Sequence, residues 1–137
     1  ILSTDPTSGL AVKSLGVAAF NTLDMQAYTH NEIDVLNLSA NATAKIDLGD
    51  VMQNGLNLFN ASNFNAALTG TTSLHQFVVN GAAGSAVVVD SAALSGTWTK
   101  SATSVTNSGH TYDVYNNTNG QAQLLIDQLV TRSGAVI

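Results

Sequence analysis

The fold of this chain is constrained most by its short apolar runs, which are separated by turns rich in Asn, Gly and Ser. Residues 32–38 (EIDVLNL) and 44–48 (AKIDL) have the length and residue types of β-strands. In the first run Leu36 and Leu38 fall on one face and Val35 on the other. Because both faces carry apolar groups, this run is predicted to be a strand that is covered on two sides.

Other runs of the same kind follow along the chain. Residues 111–115 alternate, 116–120 supply Asn and Gly for a turn, and 121–127 return, which predicts a β-hairpin. A turn is also predicted at Asn80-Gly81, since both residue types tolerate positive φ. The valines at 87–89 again indicate cover on both faces. The remaining strand-like runs are 76–79, 85–90, 97–100 and 103–105, and the remaining turns are 39–42 and 107–109.

Many short strands with Asn/Gly turns predict an all-β fold, either a β-sandwich or a related β-roll. One or two short helices are expected beside the strands, one beginning at Asp50 and one within the long connection at 55–74. Residues 1–9 read as a loop or a linker remnant, and 10–20 fit either a short helix or a strand. With 137 residues the chain is expected to form one domain.

The composition excludes several classes of protein. Only 9% of residues are charged, and four Lys and Arg residues against nine Asp and Glu give a net charge of -5. A nucleic-acid-binding protein needs cationic side chains to displace counterions, and a coiled coil needs charged residues beside its apolar seam. The low charge content therefore argues against both classes. The absence of Cys excludes disulfides, thiolate metal sites and a Cys nucleophile.

The same composition favours a compartment outside the cell. Short uncharged polar side chains and few Lys residues are typical of secreted bacterial surface proteins, so we expect an extracellular location on a bacterial surface. No apolar run reaches the roughly 18 residues of a membrane helix, and no membrane insertion is expected. The start at Ile1 and the missing signal sequence are expected for a domain of a longer protein.

Motifs along residues 30–128 resemble, in order, a C-terminal-region module of giant bacterial surface adhesins that are secreted by type I systems, the RTX or biofilm adhesins. The motifs that carry the resemblance are EIDVLNL (32–38), IDLGDV (46–51), VVNGAAG (78–84), GTWT (96–99), YDVY (112–115) and AQLLID (122–127). The resemblance implies a non-enzymatic module that supports cell attachment and biofilm formation by spacing or displaying ligand-binding parts. Its partners would be neighbouring domains of the same chain, and the isolated module would be a monomer.

The chain departs from this family pattern at two places. The family often has Asp on both sides of the Ala-Gly turn, where this chain has Ala82 and Ser85, so a calcium-binding capacity would be reduced. The connection at 55–74 is longer than the family pattern implies. By analogy, a long insertion of this kind hosts or borders a ligand-binding part.

Calcium is the cofactor that the residue types allow, since its ligands are oxygen atoms and the chain is acidic. The available carboxylates are Asp5, Asp24, Glu32, Asp34, Asp47, Asp50, Asp90, Asp113 and Asp127. No two Asp residues are spaced as D-x-D, so the sequence names no metal site. The histidines, His30, His75 and His110, are widely separated, and unrelated positions near strand starts are the simpler interpretation.

Catalytic motifs are missing from the sequence. It contains no G-x-S-x-G, no H-E-x-x-H and no phosphate-binding Gly-rich loop, so we expect no enzymatic activity. Trp98 and Tyr112 are expected in the core, because large aromatic residues dominate core burial. Tyr115 lies on the opposite face of its strand from Tyr112 and is the candidate exposed ligand contact.

Two functional hypotheses follow. In the first, the chain is a mechanical module of an adhesin, held together by cross-strand hydrogen bonds and an aliphatic core. In the second, it binds a glycan or a peptide through the 55–74 connection and the Tyr115 face.

Overall fold

The computed structural model describes residues 2–4, 11–24, 35–47, 75–90, 98–117 and 122–134. Every regular element in these ranges is a strand and none is a helix, so the described part of the chain is all-β, as predicted. The expected short helices, at Asp50 and within 55–74, lie outside the described residues. The strands are β1 (Leu2–Thr4), β2 (Ala11–Val17), β3 (Thr22–Asp24), β4 (Val35–Leu38), β5 (Thr43–Asp47), β6 (His75–Gly81), β7 (Ala86–Asp90), β8 (Trp98–Lys100), β9 (Val105–Asn107), β10 (His110–Asn117), β11 (Ala122–Asp127) and β12 (Thr131–Gly134).

The described strands form two sheets. The first has the order β1-β2-β4-β6-β11-β10-β8, with β9 also paired to β10, and the second has the order β12-β7-β5-β3. Strands β2, β4, β6 and β11 are mutually parallel, and so are β3, β5, β7 and β12. Each strand of the first set is followed directly by one of the second set. We call these units coils 1 to 4: β2–β3, β4–β5, β6–β7 and β11–β12.

Coils 1 to 3 pass from the first sheet to the second through the same four-residue corner. The backbone N–H of the fourth corner residue donates to the carbonyl of the first: Asn21 to Ala18 (3.1 Å), Ala42 to Ser39 (3.0 Å) and Ser85 to Ala82 (3.0 Å). The third residue has a positive φ in each case, 64° at Phe20, 62° at Asn41 and 84° at Gly84. A positive φ at the third residue is what a type II turn requires.

The corners are also bonded to one another, so the parallel hydrogen-bond ladder continues around the bend. Backbone N–H groups of one coil donate to carbonyls of the coil before it: Thr43 to Asn21 (2.9 Å), Ala86 to Ala42 (2.9 Å) and Thr131 to Ser85 (2.9 Å). The corners thus form a third hydrogen-bonded column between the two sheets, in which the carbonyls of the first and fourth corner residues are paired.

The main core draws its residues from both sheets. It comprises Val17, Leu36, Leu38, Ala42, Ala44, Ile46, Phe77, Val79, Val87, Val89, Tyr115, Leu124, Ile126 and Val130. A second cluster uses the alternate positions of the first sheet: Val35, Val78, Val105, Tyr112, Val114 and Leu125. Since successive strand residues point to opposite faces, the first sheet is buried on both sides, as parallel sheets are.

Most predicted strands are confirmed. Strand β4 is buried on both faces, at Val35 and at Leu36, as its sequence predicted. The inward positions Ala44 and Ile46 are fully buried, while Leu48 lies outside the described residues. The hairpin of β10 and β11 pairs antiparallel, and residues 11–17, which fitted helix or strand, form β2.

Three predictions were wrong in detail. Residues 2–4, predicted as part of a loop or linker remnant at 1–9, form strand β1 and pair antiparallel with β2. Asn80 and Gly81 are strand residues, because β6 continues beside β4 as far as the pair of Gly81 with Leu38, and the turn follows at 82–85. Strand β7 is fully covered only on its inner face, since Val88 is half-buried on the outer one.

Candidate functional site

Strand β10 carries polar side chains on both of its faces, and each face organises one polar cluster. Tyr112 belongs to the second hydrophobic cluster and Tyr115 to the main core, so the two rings lie on opposite faces, as the sequence predicted. The polar groups of β10 sit where the parallel stack of coils gives way to the antiparallel pair β11–β10. The ion pairs of Asp113 with Lys100 and Arg132, and of Asp127 with His110, lie at this end.

The first cluster is built around Asp127, the last residue of β11, whose side chain is 2% exposed. Its Oδ1 accepts the backbone N–H of Leu129 (3.0 Å), and its Oδ2 accepts that of Gly81 (3.4 Å). Nδ1 of His110 lies 2.5 Å from Oδ2. An ionised carboxylate only accepts hydrogen bonds, so the ring nitrogen is the donor. Three donors from different segments therefore fix this carboxylate, which holds the bend at residues 127–130, between β11 and β12, to β6 and β10.

Tyr112 extends this cluster across the outer face of the first sheet, which is the face opposite the main core. Its hydroxyl donates to Oδ1 of Asn80, and Nδ2 of Asn80 donates to Oδ1 of Asn37 at 2.9 Å. The rings of His110 and Tyr112 are stacked with centroids 6.0 Å apart. Burial, and secondly the charge of Asp127, raise the pKa of Tyr112 to about 12. The phenol is therefore held neutral, as a fixed donor to Asn80.

The second cluster is built around Asp113, on the opposite face of β10. Nη1 of Arg132, from β12 of the second sheet, donates to its Oδ2 at 2.6 Å, and Nζ of Lys100 lies 2.9 Å from the same oxygen. Nε2 of Gln128 donates to Oδ1 at 2.9 Å. Arg132 also donates to the hydroxyl of Tyr115 at 3.3 Å. This cluster ties the last strand of the second sheet to the first sheet.

The charge of Asp113 is stabilised by these partners. Burial acts to raise the pKa of its carboxyl, but the hydrogen bonds from Gln128 and Lys100 and the positive charges of Arg132 and Lys100 outweigh it. The net result is a pKa below the usual range, so the carboxylate stays ionised under ordinary conditions.

The predicted exposure of Tyr115 was wrong. Its side chain is 1% exposed, because it faces the main core between the sheets and its hydroxyl meets Arg132. A buried ring offers no face to a glycan or a peptide. The other part of the predicted ligand site, residues 55–74, lies outside the described residues, as does the side chain of Trp98. The predicted burial of Tyr112 is confirmed.

The structure also places some of the candidate metal ligands. Asp47 and Asp90 are far apart in sequence, yet they are partners in the register of β5 and β7. Within residues 2–4, 11–24, 35–47, 75–90, 98–117 and 122–134, no three His, Asp or Glu side chains are grouped to hold a metal ion. Of the histidines, His110 pairs with Asp127, and His30 is outside the described residues. Calcium binding stays a prediction.

Sequence reasoning missed the residues that connect the two sheets. Arg132 was not singled out, since a lone Arg in a short polar segment resembles a solvated residue. The pair of His110 with Asp127 was missed because His110 precedes the predicted strand 111–115; β10 begins at His110, two residues before Tyr112, which is the register partner of Asp127. The carboxylates were weighed as metal ligands, whereas Asp113 and Asp127 accept hydrogen bonds within the fold.

Comparison with protein-family models, with curated proteins and with solved structures found no match. Among the described segments there is no helix with the length and apolar character to cross a membrane.

Proposed function

We propose that this chain is a non-enzymatic module of a large secreted bacterial surface adhesin, which spaces or displays ligand-binding parts during attachment and biofilm formation. The observation that carries the proposal is the repeated corner, in which each coil is hydrogen-bonded to the preceding one around the bend as well as along both sheets. The ordered motifs of residues 30–128 support the same assignment.

In this proposal the architecture is a two-layer roll of parallel coils, a form of β-sandwich. Apolar residues of both sheets share the main core, so the layers pack face to face. A stack of this kind gains stability from contacts between neighbouring coils, which suits a part that must transmit force along a long chain. The chain has no Cys, so the core and the hydrogen-bond ladders must supply the stability that disulfides give other secreted domains.

Both polar clusters around β10 fit a structural role. Asp127 is held by two backbone N–H groups and by His110, and Asp113 by Lys100, Arg132 and Gln128. Carboxylates with this many fixed partners organise backbone and link strands. Extracellular location and attachment to neighbouring domains of the same chain belong to this proposal.

Binding and turnover assays on the purified full chain separate the proposal from its rivals. We expect glycan and peptide arrays to stay blank and ester, peptide and glycoside probes to remain uncleaved, while circular dichroism shows a β spectrum and a cooperative melt. A ligand whose binding disappears when residues 57–70 are trimmed, with the melt unchanged, would make the chain a receptor. Turnover of any probe would make it an enzyme.

The mechanical role is tested by pulling. When the chain is tethered by both ends between reference domains of known unfolding force, we expect it to resist extension and then to open in discrete steps. Gradual extension without steps would contradict a load-bearing module, even if the arrays stay blank.

A further inference from the structure

Within the described residues the stack of coils ends at β12, and this strand differs from the strands that precede it in the stack. Among the described strands β12 pairs only with β7, so no described strand lies along its other edge. An unpaired edge presents a row of backbone donors and acceptors that another chain can pair with. A stack of parallel coils is especially prone to such pairing, because each coil presents to its neighbour the same backbone groups that a further strand would bond.

The inward position of the second sheet changes character at β12. The register aligns one residue from each coil in a single inward column: Leu23, Ala44, Val87 and Arg132. Ala44 and Val87 are fully buried and Leu23 packs against the same core. The column is thus apolar in coils 1 to 3 and ends in a guanidinium group in coil 4.

Arg132 is fixed in this position by the second polar cluster. It donates to Asp113 at 2.6 Å and to the hydroxyl of Tyr115 at 3.3 Å, and Lys100 adds a second positive charge 2.9 Å from Asp113. The end of the core is therefore closed by two cations that share one carboxylate. A further apolar coil stacked on β12 would remove these groups from water, which is costly without new partners.

The first sheet ends in a complementary way. In the sheet, the neighbour of β11 on the side away from β6 is the antiparallel strand β10. The other edge of β10 pairs with the short strands β8 and β9. Lys100 lies on β8 with its side chain 53% exposed. Short strands and exposed Lys residues are two of the features that keep sheet edges from pairing.

From these observations we propose that Arg132, Asp113 and Lys100 form a terminal cap, which prevents a second copy of this chain from adding a strand to the edge of β12 that lies away from β7. The proposal concerns how the stack ends and does not depend on what the module displays.

The test compares the association of variants of the full chain. Arg132→Leu makes the inward column apolar to its end, and Arg132→Met does so while keeping the unbranched stem of the side chain. In sedimentation velocity over a concentration series, we expect the wild type to stay monomeric. We expect both variants to associate at concentrations at least about tenfold lower than the wild type, which corresponds to roughly 1.4 kcal/mol of association free energy.

Two matched controls separate capping from general stickiness. Ser133→Leu adds an equal apolar group on the exposed outer face of the same strand and should behave as the wild type. Arg132→Lys keeps a charge at the inward position and should also stay monomeric. Circular dichroism and the melting temperature show whether each variant is folded, and Arg132→Met remains informative if Arg132→Leu does not fold.

The location of any association is read by hydrogen exchange. Amides of β12 should gain protection when Arg132→Met associates, because that edge becomes paired. The cap is refuted if folded Arg132→Met stays monomeric, if Ser133→Leu associates equally, if the wild type itself associates through β12, or if the new protection appears away from β12.

Discussion

Asn80 donates a 2.9 Å hydrogen bond from its side-chain amide to the side-chain oxygen of Asn37, its register partner in the neighbouring coil. The same column continues to Gly16 in coil 1, which is paired with Asn37. The amide row therefore spans coils 2 and 3 and stops where coil 1 has glycine. Since the row lies on the outer face of the first sheet, it can be extended without disturbing the core.

Replacing Gly16 should extend this row and stabilise the chain. A Cβ at Gly16 would meet no atom within 4 Å, and its φ is not in the left-handed region. Gly16→Ala should add about 0.5–1 kcal/mol by reducing the freedom of the unfolded chain. Gly16→Asn should add about 0.5 kcal/mol beyond Gly16→Ala, because its amide can accept from Asn37. Urea denaturation measures both free energies of unfolding.

The Asn37→Ala background is the control for the amide row. There Gly16→Asn should lose its advantage over Gly16→Ala, and an advantage that persists would show that no hydrogen bond forms. Gly81→Ala is the opposite case, since a Cβ there would lie 2.2 Å from Cγ2 of Val130, and it should be destabilising.

Phe20 is the third residue of the first corner and has a left-handed backbone conformation, which is less favourable for Phe than for the residues at the same position of the other corners. It has a φ of 64° and is 82% exposed, while the equivalent residues are Asn41 and Gly84. A left-handed conformation costs a residue with a bulky side chain about 1–2 kcal/mol, and Asn tolerates it better. Phe20→Asn should therefore raise the free energy of unfolding by about 0.5–1 kcal/mol in thermal or urea unfolding.

Leu129→Asn provides the matched comparison. Among the described residues Leu129 is the other large apolar residue that is exposed, and it has no positive φ, so the same gain in polarity should change stability by less than about 0.5 kcal/mol. Equal stabilisation at both positions would mean that polarity and not backbone strain is responsible. Gly84→Ala should be destabilising, since φ is 84° and a Cβ would lie 2.3 Å from Oδ1 of Asn41.

Leu124 and Val35 test the two hydrophobic clusters separately. Leu124 is fully buried in the main core, and Val35 belongs to the cluster on the other face of the first sheet. Leu124→Ala and Val35→Ala should each cost about 2–4 kcal/mol, with Val35→Ala at the lower end because fewer atoms are removed. Calorimetric or urea unfolding gives these values. Ser133→Ala, at an exposed position, is the control, and near-zero effects at both core positions would contradict the described burial.

The strands could be predicted from sequence because their signal is local. Alternation in residues 111–115 and the mixed faces of residues 32–38 each depend on neighbours within a few residues. The structure confirms the first strand, and it confirms the second at 35–38, the part that it describes. The hairpin followed because its turn residues lie between the two runs. The parallel pairing of β4 with β6 could not be read in this way, since its partners are separated by the long connection at 55–74.

The corner repeat also escaped sequence analysis, for a physical reason. A type II corner constrains one backbone angle, and Phe20, Asn41 and Gly84 satisfy it with three unlike residues. The ladder between corners uses only backbone N–H and C=O groups, which every non-proline residue carries. A repeat made of backbone geometry therefore leaves little trace in residue identity, whereas burial of Leu36 or Val87 leaves a clear one.

Tyr112 should make the stability of the chain fall at high pH. Its pKa is about 12 in the folded protein, because of burial and then the charge of Asp127, against about 10 in an unfolded chain. The folded state thus keeps a proton that the unfolded state releases, so stability is complete below about pH 10 and is lost as the pH rises toward about 12. Unfolding followed from about pH 9 to about pH 12 measures this loss, and tyrosinate absorbance reports the ionisation.

Tyr112→Phe is the matched variant for this pH dependence. It should be less stable by about 1–2 kcal/mol at neutral pH, because Oδ1 of Asn80 loses its donor, and its decline above about pH 10 should be shallower. An equally steep decline in Tyr112→Phe would assign the alkaline loss to other groups.

Asp113 should govern part of the loss of stability in acid. The hydrogen bonds and cations around its carboxyl overcome the effect of burial and lower its pKa in the folded state, so the unfolded state binds the proton more readily. Its contribution is therefore present above the unfolded value of about 3.9 and is lost as the pH falls through the lower folded value. Urea unfolding between neutral pH and about pH 2 should show Asp113→Asn to be less stable than the wild type at neutral pH but less sensitive to acid.

The partners of Asp113 should not be equivalent in this experiment. Arg132 is mostly covered and lies 2.6 Å from the carboxylate, whereas Lys100 is 53% exposed and lies 2.9 Å away, where water screens its charge. Arg132→Met should therefore reduce the acid sensitivity more than Lys100→Met does. If the two variants respond alike, or if Asp113→Asn keeps the full acid sensitivity of the wild type, the ion pair between the sheets is not the group that titrates.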